Sequence, residues 1–325
     1  MWYNKAMKHK LYIGVDIGGT KISAGLVEHS GTILHRKKIP SPVNFSRKKI
    51  LTVISSLIEE LIDDEGIKRK ALNGIGLGVP GIVDQHGVVI NAPNISLSGV
   101  NICKEIKKRF RVPVVAGNDV NLGVLGERHF GAAQGYKDIV GIFMGTGLGA
   151  GVIVNDRLLL GSHGAAAEIG HMIINVKGPK CSCGNYGCLE AYVGRWAIER
   201  DIRKALREGR RSILRKLIPL GSKIIKSKIL AKAISRNDPL ATEVMKKASL
   251  AVGDACVSLR HIFDPQIIVL GGGVVEACGD FILPFVQGRL GKDKFFSKLG
   301  KCEVVVSRLE DNATILGAVA FVREA

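Results

Sequence analysis

A compact cluster of metal-ligand residues lies in the stretch EIGHMIINVKGPKCSCGNYGCLEA, residues 168–191. Imidazole and thiolate groups are the ligands of closed, tetrahedral structural zinc sites. The spacing differs from that of a DNA-reading zinc finger, whose second half would be two histidines at the end of a short helix. A disulfide is the competing interpretation, but Cys181 and Cys183 are too close in sequence to pair comfortably with each other. We therefore predict a structural zinc site, whose candidate ligands are His171, Cys181, Cys183 and Cys188.

A second kind of chemistry is indicated by the stretch DIGGTK, which places a carboxylate, two glycines, a hydroxyl and an ammonium group side by side. The backbone N–H groups of Gly18 and Gly19, together with Thr20 and Lys21, can hold phosphate oxygens. Asp16 can position Mg²⁺ through water, because carboxylate oxygens are ligands that this cation prefers. The stretch is therefore a candidate phosphate-binding turn.

Two later glycine-rich stretches extend this pattern. GTGLG supplies a second turn whose N–H groups can face phosphate, and GGG leaves room for a flat base to lie against the backbone. Each stretch alone would be read as a tight turn, but the three in this order indicate a cleft that binds ATP. The candidate residues of these two stretches are Gly145, Thr146, Gly147, Gly271, Gly272 and Gly273.

Other nucleotide-binding motifs are disfavoured by their context. GLGVPG at 76–81 and GTGLGA at 145–150 match the dinucleotide-binding fingerprint, which requires a helix directly after the glycines. The first is followed by a predicted loop and strand, and the second by a predicted hairpin. The P-loop pattern GxxxxGK[ST] does not occur in the sequence. A dehydrogenase or a P-loop enzyme is therefore not expected.

The composition bounds the class of protein. The chain has 325 residues, a hydrophobic fraction of 46% and a net charge of +18, with aromatic residues at only 5%. The length suits about two globular domains, and neither an apolar leader nor a run of membrane-spanning length is present. Basic residues lie in amphipathic segments without interleaved aromatics, which favours solvated helix faces over a nucleic-acid surface. Four isolated cysteines look like small buried apolar residues and favour a reducing cytoplasm, namely Cys103, Cys256, Cys278 and Cys302.

The elements that must position these residues alternate between strands and helices, which indicates an α/β architecture. LYIGVDI predicts a strand, with a hairpin around HSG after it, and Ser46 is the expected cap of a helix that ends at Gly66. DIVGIFMGTGLGAGVIV opens a second set of strands with a turn at Asn155–Asp156. Two long helices are expected from Leu189 to about residue 211 and from Pro239 to about residue 263, and NATILGAVAFV predicts a final helix. The two strand–glycine openings suggest two related halves with a cleft between them.

Taken together, GVDIGGTK, GNDVN, GTGLGAG, EIGH, CSCGNYGCLE and IIVLGGG resemble the ROK family of sugar kinases and repressors. The resemblance extends from about residue 11 to the C-terminus. It implies an actin-like, ribonuclease H-like fold of two lobes with an interlobe cleft that closes on MgATP and a sugar. On this basis we expect a smaller lobe of residues 1–118, completed by a C-terminal helix at about 311–325, and a larger lobe of residues 119–310 that carries the structural zinc.

The resemblance also implies roles for particular residues. Asp119 would be the general base that accepts the proton of the sugar hydroxyl, although the residues alone allow it to be a helix N-cap equally well. Val100 and Ala167 depart from the aromatic residue and the glycine that stand there in many family glucokinases, so the identity of the sugar stays open. The residues implied in sugar binding are Gly81, Asn94, Asn118, Asp119, Glu168, His171 and Glu190.

The expected reaction is ATP-dependent phosphorylation of a hexose, with glucose as the first choice. N-acetylmannosamine, N-acetylglucosamine or fructose are alternative substrates, and polyphosphate is an alternative donor. A non-catalytic sugar sensor or a repressor is the alternative of a different class; since Asp16 lies close to the start of this sequence, we do not expect a helix-turn-helix domain before it. The expected partners are a hexose and ATP with Mg²⁺, without specific nucleic acid or membrane, in a cytoplasmic dimer or tetramer as the resemblance implies.

Overall fold

The computed structural model describes residues 10–42 and 45–325, which divide into two compact units. The first unit contains the described residues up to Gly135 together with Leu158–Ala167 and Asp311–Ala325. The second unit contains Tyr136–Arg157 and Glu168–Glu310. None of the helices in the described residues is both long enough and apolar enough to cross a bilayer.

The first unit is built on a five-stranded sheet in the order β3-β2-β1-β4-β7. The first three strands pair antiparallel, as the predicted hairpin requires, and β4 and β7 extend the sheet in parallel with β1. A two-stranded hairpin, β5-β6, lies outside this sheet. The strands are β1 (Leu11–Ile17), β2 (Lys21–Glu28), β3 (Ile33–Pro40), β4 (Leu72–Val79), β5 (Ile82–Val83), β6 (Val89–Asn91) and β7 (Val114–Asn118).

Helices of the first unit follow from clear capping and periodicity signals. The Ser46 hydroxyl accepts a hydrogen bond from the Lys49 N–H at 3.4 Å, and Gly66 has φ 61° just beyond the helix end, so both predicted boundaries are confirmed. The apolar face of this helix, which includes Ile54 and Leu61, is fully buried against the sheet. The helices are α1 (Arg47–Asp64), α2 (Ile102–Phe110) and α3 (Asp119–Phe130), with a 3₁₀ turn at Arg69–Ala71.

The second unit repeats the same sheet plan in the order β10-β9-β8-β11-β12. Strands β8 and β9 are antiparallel, whereas β11 and β12 run parallel to β8. Asn155 and Asp156 have φ of 50° and 66°, which is the geometry of the tight hairpin turn predicted there. The strands are β8 (Ile139–Met144), β9 (Leu148–Val154), β10 (Arg157–Leu158), β11 (Ile267–Gly271) and β12 (Glu303–Val306).

Helices of the second unit differ in part from those that the sequence predicts. The long helix expected from Leu189 is split, because Gly194 has an extended backbone and separates two helices. The helix predicted from Pro239 to about residue 263 is confirmed, with the Asp238 carboxylate as its cap. The helix after the three glycines and two short helices before Pro239 were not predicted. The helices are α4 (Glu190–Val193), α5 (Arg195–Arg207), α6 (Leu214–Leu217), α7 (Ser227–Ile234), α8 (Pro239–Phe263) and α9 (Gly273–Leu290).

The C-terminal helix α10 (Ala313–Glu324) belongs to the first unit and packs unusually close to its neighbours. A Cβ atom on Gly317 would lie 1.6 Å from the Leu122 carbonyl oxygen of α3, and one on Gly126 would lie 2.3 Å from the Ala313 carbonyl oxygen. A Cβ on Gly76 of β4 would lie 2.0 Å from the Ala318 oxygen. Glycine is therefore required where these backbones meet. Because α3 packs on α10 in this way, the first unit extends to Gly135, whereas the sequence suggested a boundary after residue 118.

Replacing Gly317 with alanine should destabilise the protein by about 2–4 kcal/mol, because the new methyl group would force two packed helix backbones apart. Gly288 is a matched control, since it lies in α9 and a Cβ atom there would meet no heavy atom within 4 Å. Gly288→Ala should be neutral or stabilising, because alanine favours a helix by about 1 kcal/mol over glycine. Thermal and denaturant unfolding of both variants measure the difference, and equal stabilities would refute the close backbone packing.

Candidate functional site

The DIGGTK stretch forms a tight turn between β1 and β2. The Gly18 N–H donates to the Lys21 carbonyl at 2.9 Å, and a Cβ on Gly18 would lie 2.8 Å from that same oxygen. The Gly18 N–H is thus already used within the turn, so a phosphate-binding role rests on its neighbours. Gly19 lies next to Asn94: a Cβ atom placed on Gly19 would be 3.3 Å from the Asn94 Cβ. The fold therefore brings a candidate sugar-binding residue next to the candidate phosphate turn within the first unit.

The Lys21 ammonium group is held by an acidic residue that the sequence did not single out. Its Nζ donates to both carboxylate oxygens of Asp311, at 2.7 Å and 2.8 Å. Arg36 and Lys38 also lie within ion-pair distance of this carboxylate. The cluster fixes the position of Lys21, and Asp311 and an incoming phosphate would compete for its positive charge. No sequence signal near Asp311 indicates this role, because the contact joins the two ends of the chain.

The Asp16 carboxyl group has a markedly raised pKa. Burial raises its pKa from 3.8 to about 6, although the positive charge of Lys21 opposes the shift. A carboxylate that is costly to keep charged gains most from a nearby cation, because the cation replaces the lost solvation. The donor type and the electrostatics of Asp16 therefore fit the predicted role in positioning Mg²⁺.

The junction between β7 and α3 changes the interpretation of Asp119. The cap of α3 is Asn118, whose Oδ1 accepts hydrogen bonds from the N–H groups of Val120 at 2.9 Å and Asn121 at 3.0 Å. The Asn118 amide also donates to the Gly81 carbonyl at 3.0 Å, so these two candidates are in contact. Asp119 is the first residue of the helix, and its Oδ1 accepts from the adjacent Val120 N–H at 3.0 Å. The N-cap alternative for Asp119 is therefore wrong.

Glu190 connects two of the predicted stretches in the second unit. Its Oε2 accepts from the Leu148 N–H of the GTGLG turn at 3.0 Å, and its Oε1 accepts from the Ser182 hydroxyl at 2.7 Å. The Trp196 indole also donates to Oε1, at 3.3 Å. The carboxylate is only 8% exposed, so these donors replace the water that burial removes. Both oxygens accept hydrogen bonds from the protein, so Glu190 links these segments, and its predicted contact with a sugar stays a prediction.

The GTGLG turn is further held by the start of α5. The backbone N–H groups of Arg195 and Trp196 donate to the carbonyls of Gly145 and Thr146, each at 3.2 Å. The Arg195 guanidinium donates to the Thr146 hydroxyl at 3.0 Å. The first turn of α5 therefore fixes the carbonyl side of the turn. A Cβ on Gly147 would lie 2.2 Å from the Glu190 carboxylate, which explains why glycine stands there.

The predicted metal ligands converge on one point. One ligand atom from each of His171, Cys181, Cys183 and Cys188 can be chosen so that all four lie within 4.8 Å of one another. The Cys183 and Cys188 sulfurs are 3.7 Å apart, as are the Cys181 sulfur and the His171 Nδ1. The edges of a tetrahedron around zinc should measure about 3.5–3.8 Å for these ligand types. The geometry and the donor set both fit a structural zinc ion.

Glu168 differs from Glu190 in its surroundings. Its side chain is exposed, and its carbonyl accepts from the His171 N–H at 3.0 Å, so the position of Glu168 is linked to a predicted metal ligand. The preceding Ala167 has φ 64°, in the left-handed region that glycine favours. This backbone geometry explains why a glycine would be the easier residue at that position.

The three glycines end β11 and begin α9. Gly272 has φ 83°, and a Cβ there would lie 2.7 Å from the Met144 carbonyl oxygen. A Cβ on Gly271 would lie 2.8 Å from the Phe143 ring. Gly273 begins the helix, and a Cβ there would meet no heavy atom of the described residues within 4 Å, so the backbone is open at this point. The base-binding prediction for these residues stays a prediction.

Comparison with protein families matches the ROK family over residues 12–325. The chain belongs to the ROK family. A glucokinase from Thermotoga maritima is 35% identical over 96% of this chain and 97% of its own length. A xylose repressor from Caldicellulosiruptor bescii is 31% identical over 95% of this chain and 77% of its own length. The family membership predicted from the motifs is thus confirmed, and the relatives include both kinases and repressors.

A solved structure supports the fold of this ROK protein directly. The ROK glucokinase from Streptomyces griseus, in complex with glucose and AMPPNP, superposes with a TM-score of 0.84 at 32% identity. The match covers 97% of this chain and 100% of the glucokinase. The two repeated sheets described above are therefore those of the actin-like, ribonuclease H-like fold, as predicted.

Removing one predicted metal ligand should remove the metal. We expect the purified ROK protein to contain about one zinc ion per chain and Cys183→Ser to lose most of it, because a closed site needs all four ligands. Cys302→Ser is the matched control, since Cys302 is a half-buried free thiol outside the cluster. Elemental analysis and the melting temperature report the outcome. A metal-free wild-type protein of normal stability would show that the cluster is not a zinc site.

Removing the Asp16 charge should stabilise the magnesium-free protein at neutral and alkaline pH. Because the folded pKa of about 6 exceeds the unfolded value of 3.8, the wild type loses stability as the pH rises through 6. Asp16→Asn should therefore be more stable by about 1–3 kcal/mol above that pH and no more stable at about pH 4. Urea unfolding across this range measures the difference, with Asp63→Asn on the exposed face of α1 as the control. A constant difference at every pH would contradict the raised pKa.

Proposed function

We propose that this ROK protein transfers the γ-phosphoryl group of ATP to a hexose hydroxyl, with the 6-hydroxyl of glucose as the preferred acceptor. The observation that carries the proposal is the placement of Asp119. It lies at the end of β7 on the first turn of α3, and the helix is capped by Asn118. A carboxylate that is not the helix cap suits the task of accepting a hydroxyl proton.

The positions of the other residues support this assignment. We propose that Gly19, Thr20 and Lys21 bind phosphate oxygens in the first unit, with Lys21 released from or shared with Asp311. Asp16 would hold Mg²⁺ through water, and the cation would neutralise charge that develops on the phosphates. In the second unit, the turn of Gly145, Thr146 and Gly147 is held firmly enough to present a fixed phosphate-binding surface.

Sugar recognition needs several polar groups of fixed geometry. Exposed Asn94 and Glu168 suit direct bonds to hydroxyl groups. Asn118 binds the Gly81 carbonyl, and Gly81 in turn packs closely against the backbone just before Asn94. We propose that His171 presents one ring edge to the sugar while its other nitrogen binds zinc. We assign Glu190 mainly to holding the glycine turn and the zinc loop in place, because its two oxygens already accept hydrogen bonds.

Release of ADP in a coupled assay tests the proposed function. The acceptors are glucose, fructose, mannose, N-acetylglucosamine and N-acetylmannosamine, and polyphosphate replaces ATP in a second series. Turnover that is fastest with glucose and ATP supports the proposal, whereas turnover with an N-acetylated sugar would revise the substrate. The match to a xylose repressor makes a sugar-binding regulator the second candidate. Tight sugar binding without any ADP release would favour that candidate.

Asp119→Asn should separate catalysis from structure. Because Asn118 caps the helix, the variant should fold, keep its metal and bind the sugar nearly as tightly as the wild type. Its turnover should fall by about 10²–10⁴-fold, the usual contribution of a positioned general base. Asp264→Asn, which removes a carboxylate at the end of α8, is the matched control and should keep full turnover. Near-normal turnover of Asp119→Asn would remove this residue from the mechanism.

A further inference from the structure

More than half of the net charge of this protein lies in one stretch of the second unit, residues 203–232, called here the basic segment. The chain as a whole carries a net charge of +18. The basic segment contains a single acidic residue, Glu208. Its eleven basic residues are Arg203, Lys204, Arg207, Arg210, Arg211, Arg215, Lys216, Lys223, Lys226, Lys228 and Lys232. The sequence predicts that this charge is distributed over solvated helix faces, but the segment is not a regular helix.

The basic segment folds as the end of α5, the short helix α6, a loop and helix α7. Most of its basic side chains are exposed to solvent. Within the part of the chain that the structure describes, two of them form ion pairs, Arg210 with Glu243 and Lys204 with Glu208. A large local excess of positive charge thus faces the solvent. Such a surface attracts anionic partners over distances of about a Debye length.

The loop of the basic segment also presents aliphatic side chains. Leu220 is fully exposed at 106%, and Ile224 is 46% exposed. An isolated exposed leucine needs no explanation. Here, however, both residues lie between Lys216 and Lys226, so that an apolar tip is surrounded by positive charge.

The loop at residues 219–225 is held in place by hydrogen bonds and by one buried side chain. The Arg203 guanidinium donates to the Ser222 carbonyl at 2.9 Å, and the Ser222 hydroxyl donates to the Ile224 carbonyl at 2.7 Å. The Ser222 N–H donates to the Pro219 carbonyl at 3.0 Å, and the neighbouring Ile225 is fully buried. Leu220 therefore lies exposed at the tip of a turn whose backbone is fixed by hydrogen bonds.

In contrast to the sequence-based expectation of no membrane partner, we propose that the basic segment docks on the surface of an anionic lipid bilayer, with Leu220 and Ile224 entering the headgroup region. Apolar side chains flanked by lysine and arginine are the pattern of interfacial membrane binding. Surfaces that bind single-stranded nucleic acids instead use aromatic side chains for stacking, and residues 203–232 contain no Phe, Tyr or Trp. A nucleic-acid duplex would engage the basic side chains through its phosphates but would leave Leu220 and Ile224 in water, so a bilayer is the occupant that the chemistry favours. None of these residues belongs to the proposed kinase site, so this proposal does not depend on it.

The test is sedimentation of the full-length protein with vesicles of phosphatidylcholine and phosphatidylglycerol, compared with phosphatidylcholine alone. The wild type should bind only the anionic vesicles. The triple variant Lys223→Gln, Lys226→Gln, Lys228→Gln should bind roughly 100-fold more weakly, since each basic residue near an anionic surface contributes about fivefold. Leu220→Ser with Ile224→Ser should lower binding by about tenfold. The triple lysine variant and the double serine variant should both keep the melting temperature of the wild type. If the wild type has kinase activity, both should also keep its turnover.

A charge-matched control decides whether the position of the charge matters. The triple variant Lys104→Gln, Lys107→Gln, Lys108→Gln removes the same charge from exposed lysines of α2, which have no exposed large apolar residue beside them in the described part of the chain. It should lose less than about fivefold in vesicle binding. An equal loss in both triple variants would overturn the proposal, as would equal binding to neutral vesicles. Competition by duplex DNA, together with unchanged vesicle binding of the Leu220→Ser and Ile224→Ser variant, would assign the segment to nucleic acid instead.

Discussion

The organisation of the second unit depends on one buried carboxylate. An ionised glutamate that is removed from water is costly unless donors replace its lost solvation. Glu190 gains them from a backbone N–H of the glycine turn, a serine hydroxyl between two predicted metal ligands and an indole from α5. These three donors come from separate segments of the chain. The carboxylate thus holds together the turn proposed to bind phosphate and the loop proposed to bind zinc.

This arrangement gives the metal site a role beyond local stability. Zinc binding would fix Cys181 and Cys183, and Ser182 between them donates to Glu190 at 2.7 Å. A metal that fixes the loop with Cys181 and Cys183 would therefore also hold the GTGLG turn in place. The link is the Glu190 side chain, which accepts one hydrogen bond from Ser182 and one from the Leu148 N–H. In the first unit, close backbone packing of α10 on α3 and β4 holds the segment that contains Asp119 in place. Glycines in the sheet and in α3 allow α10 to approach, and Thr314 of α10 donates to the Asp119 carbonyl at 3.2 Å.

Much of the fold could be predicted from the sequence, because its signals are local. Caps such as Ser46, the turn at Asn155–Asp156 and the apolar periodicity of α1 act within a few residues. The cluster of candidate metal ligands could also be predicted, since residue type and spacing define it. The break at Gly194 and the start of α9 were missed, because a glycine can extend, cap or interrupt an element. Which of these a glycine does depends on how the surrounding segments pack in the folded protein.

The parts of the site that were missed involve long-range contacts. Asp311 holds Lys21 from the opposite end of the chain, and no local pattern marks such a pair. The assignment of Glu190 to sugar binding stays a prediction, but its hydrogen bonds to Leu148 and Trp196 could not be predicted from its motif. Asp119 shows the converse case. Two adjacent residues could each have capped α3, and only the backbone geometry distinguishes Asn118 as the cap.

Hydrogen–deuterium exchange with and without the metal tests the central claim that the zinc loop holds the glycine turn through Glu190. After chelation, the hydrogen-bonded amides of Gly145 and Leu148 should exchange at least about tenfold faster, because loss of a hydrogen bond to a charged group costs roughly 1.5–3 kcal/mol. The amides of the buried strand β11 should be unchanged, which shows that the unit is still folded. Unchanged exchange in the turn after complete metal loss would contradict the account.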